Sequence, residues 1–156
     1  MSKAHSFSTP RPSVDTFATI ACQQFCEEHQ IGDPNGFLNS FQVYADGFTN
    51  ACNLNRDLCW DFGEDKELTQ DFINALDDLG LKIDFQHYKA VLDWAGENPS
   101  TPLPVGTRVS FTRFNNEVVE GEITEVMDGH KYVINQDNYS RGMPIVPFEE
   151  VSVTSS

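Results

Sequence analysis

Residues 98–114 read Asn-Pro-Ser-Thr-Pro-Leu-Pro-Val-Gly-Thr-Arg-Val-Ser-Phe-Thr-Arg-Phe. Pro99, Pro102 and Pro104 each fix φ and remove a backbone donor, so the run 98–104 is stiff and extended. Beyond it, apolar and polar side chains alternate, with Val109 and Phe111 on one face; this is the period of a strand. Before it, apolar residues recur every three to four positions, the period of a helix. The chain therefore divides at 98–104, with helices before and strands after.

Working back from the prolines, Asp84 caps an expected last helix through Tyr88, Val91, Leu92 and Trp94, ended by Gly96. An earlier helix is expected over Glu64 to Leu79, with Leu68, Phe72, Ala75, Leu76 and Leu79 inward. Glu64, Asp65 and Glu67 suit its positive end, and Gly80 suits its C-cap. The segment Gly47 to Gly63 reads as a helix continuation or a short helix. Asn50, Asn53 and Asn55 weaken it, while Leu54, Leu58 and Trp60 favour burial. Asp33-Pro34 is a clean helix start, and the pattern continues through Phe37, Leu38, Phe41, Tyr44, Ala45 and Phe48. Ser13 caps a first helix through Val14, Phe17, Ala18, Ala21, Cys22 and Phe25. Residues 1–12, rich in Ser and Pro, read as a loose tail.

Working forward, Asn115-Asn116 and Asp128-Gly129 mark tight turns. They bound a second strand, Glu117 to Met127, in which Gly121 signals a bend or bulge. A third strand runs His130 to Asn135 through Tyr132 and Ile134. After a polar loop, Asp137 to Gly142, short strands are expected at Met143–Phe148 and Val151–Val153.

The succession Val105-Gly106, the hairpin, Val119-Glu120-Gly121-Glu122-Ile123, Tyr132-Val133-Ile134, Ile145-Val146 and Glu149-Glu150-Val151 resembles the layout of SH3-like small β-barrels. That group includes Tudor and KOW modules, and the resemblance covers 103–153. The expected fold class is α+β. A helical domain of four to five helices spans 13–97, the proline-rich linker 98–104, and an SH3-like five-stranded β-barrel 105–153.

The resemblance implies a binding platform, since a shared fold does not fix chemistry. Tudor-type readers hold a methylated cation in an aromatic cage. Phe114, Tyr139 and Phe148 are the rings available for one, although core packing is the commoner use of such rings. The binding face expected on the barrel is Arg113, Phe114, Tyr139 and Arg141.

Charge narrows the partners. The chain carries 24 Asp+Glu against 10 Lys+Arg, a net charge of −14. Residues 1–102 hold 16 acids and 6 bases, and 103–156 hold 8 acids and 4 bases. The barrel's cations, Arg108, Arg113, Lys131 and Arg141, are outnumbered, so sequence-general binding of nucleic acid is not expected. A protein partner with a basic surface is. No apolar run reaches the roughly 20 residues that cross a bilayer. Met1 to Pro12 has no apolar stretch of the signal-peptide kind, so a cytoplasmic location and no membrane contact are expected.

Chemistry-bearing motifs are scarce. Cys26 and His29 share a helix face, but a core thiol beside a surface imidazole is the ordinary reading. Cys22, Cys26, Cys52 and Cys59 could supply four thiolates to one zinc, yet neither pair has the short Cys-x₂-Cys spacing of a knuckle. Asp61-Phe62-Gly63 matches a kinase triplet without the rest of a kinase. The paired acids Glu27-Glu28, Glu64-Asp65, Asp77-Asp78 and Glu149-Glu150 sit at helix ends or in polar stretches. No catalytic residue, metal or cofactor is assigned, and the chain is not expected to be an enzyme.

Two functions fit this reading. One is a non-enzymatic interaction or regulatory module that binds a protein partner through the barrel, the acidic helical surface or both. The alternative is an acidic mimic of nucleic acid, of the mobile-element kind, that inhibits a DNA- or RNA-binding protein; the acids between Asp57 and Glu97 motivate it.

Overall fold

The computed structural model describes residues 3–58, 70–113, 115–138 and 141–154. Among the described residues, four helices precede a curled five-stranded antiparallel sheet, a half-barrel, so the α+β layout holds. The chain forms two compact units, Pro12–Ala90 and Met1–Arg11 with Val91–Ser156.

In the unit Pro12–Ala90, side chains start the first three helices. Ser13 Oγ accepts from the Asp15 N–H ahead of α1 (Val14–Glu28). Asp33 accepts from Gly36 N–H ahead of α2 (Pro34–Ser40), and Asp46 accepts from Thr49 N–H ahead of α3 (Gly47–Asp57). Each bond satisfies a donor that the first helical turn leaves open. The core gathers Phe25, Phe37, Phe41, Leu54, Leu76, Leu79 and Ile83 around buried Cys22 and Cys26.

The second helix is shorter than its sequence pattern. It stops at Ser40, and Phe41 is extended at φ −72° and ψ 133°. Fully buried Asn50 explains the stop. Its Oδ1 accepts from Gln42 N–H at 2.8 Å and its Nδ2 donates to Gln42 O at 2.9 Å. These bonds give the turn a partner that further helix would otherwise supply.

The fourth helix corrects the expectation of two helices divided at Gly80 and Asp84. α4 is continuous over Gln70–Glu97, 28 residues. Gly80 is interior to it, and a Cβ there would stand 2.7 Å from the Val43 carbonyl oxygen. The glycine serves close approach of the α2–α3 connection, not termination. The expected start at Glu64 lies outside the described residues.

The second unit is built on a sheet of order β4-β3-β2-β1-β5. Its strands are β1 (Arg108–Thr112), β2 (Val118–Met127), β3 (Lys131–Gln136), β4 (Ile145–Pro147) and β5 (Ser152–Val153). A 3₁₀ turn, Phe148–Glu150, joins the last two. The inner face buries Val109, Phe111, Ile123, Tyr132, Ile134, Val146, Phe148 and Val151. The bend expected at Gly121 is displaced. Gly121 pairs in register with Val109 and Gln136, and the register breaks between Ile123 and Glu125. The glycine is needed because a Cβ there would lie 2.6 Å from Asn135 O.

Residues 3–11, read as a loose tail, run against this sheet. Lys3 bridges Ser152, and Ala4 N–H donates to Val151 O at 3.0 Å. The proline-rich segment lies within the same unit. Asn98 is buried, its Oδ1 accepting from Thr9 Oγ1 at 3.0 Å, and Leu103 N–H donates to the Tyr132 hydroxyl at 2.9 Å.

Candidate functional site

The expected barrel site is only partly on view. Arg113 follows β1 and is half-buried, its Nη1 donating to Oε1 of buried Gln136 at 2.6 Å. Its backbone N–H donates to Glu117 O and its carbonyl accepts from Asn116 N–H, which closes the β1–β2 hairpin. Arg113 thus ties the hairpin to the end of β3. Arg141 is exposed in the loop before β4. Phe114 and Tyr139 lie outside the described residues. Phe148 is buried at 1% exposure and stacks on Tyr132 with centroids 4.2 Å apart. It belongs to the core and does not face a cage.

A different surface stands out in the helical unit. Taking 100° per residue, Leu76, Leu79 and Ile83 share one side of α4, and Leu81, Phe85 and Tyr88 the opposite side. The first set is buried. The second is exposed, at 67% for Leu81, 62% for Phe85 and 47% for Tyr88. A helix packed on one face ordinarily carries polar residues on the other. Here the opposite side carries an apolar row as well.

The α2–α3 connection extends this surface. The close approach of Val43 to Gly80 sets Tyr44 beside the helix. Val43, Tyr44, Ala45, Asp46, Asp77, Gly80, Leu81 and Asp84 line an open groove of about 510 Å³. Tyr44 is 73% exposed. Its phenol is pushed above its ordinary pKa by partial desolvation and then by the Asp84 carboxylate. Asp77 accepts from Gly47 N–H and Asp46 caps α3, so both acids are fixed at the groove. Among the described residues, the groove walls hold three carboxylates and no Lys or Arg. Lys89 Nζ sits over the Phe85 ring at 5.8 Å.

Cys22, Cys26 and His29 are disposed for packing. His29 stacks on Phe25 at 4.1 Å and meets Phe72 edge-on at 6.0 Å. Burial, and then the neighbouring Cys26, push the Cys22 thiol up to about 12, the reverse of a reactive thiolate. Cys52 is exposed, whereas Cys22 and Cys26 are buried, and Cys59 lies outside the described residues. No three His, Cys, Asp or Glu side chains group to hold a metal among the described residues. No helix among them is long and apolar enough to cross a membrane.

The α4 face eluded the sequence reading because one helix was divided at Gly80. Undivided, the spacing of Leu81, Phe85 and Tyr88 at i, i+4 and i+7 is visible as a second stripe. A scan against protein-family models matches none, and no curated protein matches the chain in sequence.

Proposed function

We propose that the chain is a protein-interaction module whose α4 face receives a basic, amphipathic segment of a partner protein. The observation that carries this is the exposed row Leu81, Phe85 and Tyr88, opposite the buried row of the same helix. Apolar side chains of the partner would lie along that row. Its Lys or Arg residues would meet Asp46, Asp77 and Asp84, which line the adjoining groove. Helix-in-groove recognition combines these features, apolar anchors for affinity and rim charge for partner choice. The five-stranded antiparallel layout supports the SH3-like resemblance of 103–153, which gives the module a second binding platform. The nucleic-acid-mimic alternative is the weaker reading of α4, because a phosphate-like surface has no use for an aromatic row.

The test is fluorescence anisotropy of the full chain with two synthetic amphipathic peptides. They share their apolar positions, and their polar positions are Lys in one and Glu in the other. Binding of the Lys peptide alone is expected, weakening as salt rises and lost in Phe85→Asp. Equal binding of both peptides, or binding unchanged by Phe85→Asp, would overturn the proposal. So would sedimentation showing that the wild-type chain covers this face with a second copy.

A further inference from the structure

The segment Lys3–Arg11 is fastened to the sheet unit in three ways. Its backbone pairs with the outer side of β5 through Lys3 and Ala4. Its rings are stacked, His5 on Phe148 at 4.5 Å and Phe7 on His130 at 5.4 Å, with Phe7 edge-on to Trp94 at 4.8 Å. Its end is clamped by Arg11. Nε and Nη2 donate to Glu149 at 2.9 and 2.8 Å, Nη1 to Gly129 O at 2.6 Å, and Nη2 to His130 O at 2.8 Å.

His5 is a buried titratable group within this arrangement, 8% exposed. Nδ1 lies 2.8 Å from Ser100 Oγ and Nε2 lies 2.7 Å from the Tyr132 hydroxyl. That hydroxyl oxygen already accepts from Leu103 N–H. The assignment that gives the phenol hydrogen an acceptor sends it to Nε2, with that nitrogen unprotonated. No buried side-chain nitrogen or oxygen among the described residues lacks a partner, and this assignment preserves that. A proton on Nε2 would turn two donors on one oxygen and strand the phenol hydrogen inside the fold.

The charged and titratable surroundings give the same answer. Burial disfavours the imidazolium most, and His130, from the β2–β3 turn, disfavours it further. Glu149, from the 3₁₀ turn, favours it, but Arg11 already spans that carboxylate. Tyr132 faces it from β3 as a neutral phenol, and Lys3 is exposed, donating to Glu150 O at 3.1 Å. The net effect holds His5 below its ordinary 6.5.

We infer that Lys3–Arg11 is an acid-released strap, locked by neutral His5 and let go when His5 takes up a proton. Release bares the outer edge of β5, a row of unpaired backbone groups open to strand addition, together with the rings of Tyr132 and Phe148. The sign follows from linkage. The released imidazole titrates near 6.5 and the docked one lower, so the docked state is fully favoured above 6.5 and weakens as pH falls below it.

The test is amide hydrogen exchange on the full chain between about pH 7.5 and about pH 5, corrected for intrinsic rates, with NMR titration of the imidazoles. Protection of Ala4 and of β5 should fall as pH drops below the released pKa, by at most about tenfold per pH unit, and level off below the docked pKa. Its midpoint should follow the His5 resonance, and His5→Gln should flatten the response. Constant protection in the wild type, or a loss that follows His130 instead, would overturn the inference. An unchanged response in His5→Gln would do the same. If His5→Gln is open at every pH, coincidence of the wild-type opening with the His5 titration still decides the matter.

Discussion

His5 Nε2 and the Tyr132 hydroxyl meet at 2.7 Å across 127 residues of sequence. The contact closes a chain of three elements, since the same hydroxyl accepts from Leu103 in the proline-rich segment. Tyr132→Phe keeps the ring stack on Phe148 and removes both bonds. It leaves the Leu103 N–H and the imidazole Nε2 without partners, and about 1–3 kcal/mol of stability should be lost. The lost donor had stabilised the neutral imidazole, so the His5 pKa should rise relative to the wild type. Urea denaturation and an NMR titration of the variant check the two effects.

Arg11 is the second fastening, and its loss should act in a different pH range. Its guanidinium lies over Trp94 at 4.6 Å and grips Glu149 with two nitrogens. Burial pushes the Glu149 carboxyl up most, but the Arg11 hydrogen bonds, the Glu149 backbone N–H and the charges of Arg11 and His130 together outweigh it and leave the pKa below its ordinary 4.5. The contribution of this pair is therefore complete above 4.5 and disappears as pH falls through the lowered value. Arg11→Ala should destabilise the unit by about 1–3 kcal/mol at neutral pH and flatten the acid limb of the melting curve. Thermal melts of variant and wild type across acid pH measure this.

The sequence was most readable where one short period dominates. Alternation about Val109 and Phe111 marks β1, and Asp33-Pro34 and Ser13 mark helix starts that the structure keeps. It was misleading where a residue has two uses. Gly80 is a good cap in isolation and a good contact in this fold, and only the distant Val43 carbonyl decides between them. Asn50 weakens a helix by propensity, yet its buried amide serves the Gln42 backbone. The strap was hidden for another reason. Its anchoring residues, His5, Phe7 and Arg11, have no period, and their partners Tyr132, His130 and Glu149 lie more than a hundred residues away. Of the expected site, Arg113 is spent on Gln136, an interaction set by sheet register that residue type alone does not disclose.

The glycines of α4 give a paired prediction. Alanine at either position gains helix propensity of about 0.5–1 kcal/mol. At Gly96 nothing lies within 4 Å of the new Cβ, so Gly96→Ala should stabilise by a few tenths to about 1 kcal/mol. At Gly80 the new Cβ meets the Val43 carbonyl at 2.7 Å, a backbone atom that cannot swing away. Gly80→Ala should therefore destabilise by about 1–3 kcal/mol in spite of propensity, and it should disturb the groove beside Tyr44. Opposite shifts of the urea midpoint are the expected result, and stabilisation by both would show that the connection gives way.

Thiol chemistry supplies a last prediction, because exposure and pKa act in the same direction. Cys52 is exposed on α3, while Cys22 is buried with its thiol pushed up to about 12. Against an ordinary thiol at 9.0, Cys22 holds about a thousandfold less thiolate at mildly alkaline pH. Iodoacetamide at about pH 8 should therefore label Cys52 long before Cys22 in the folded chain, whereas urea should equalise them. Mass spectrometry of timed aliquots reads the order. Early labelling of Cys22 without denaturant would mean that the α1 core opens locally, since the reagent reaches that thiolate only through such an opening.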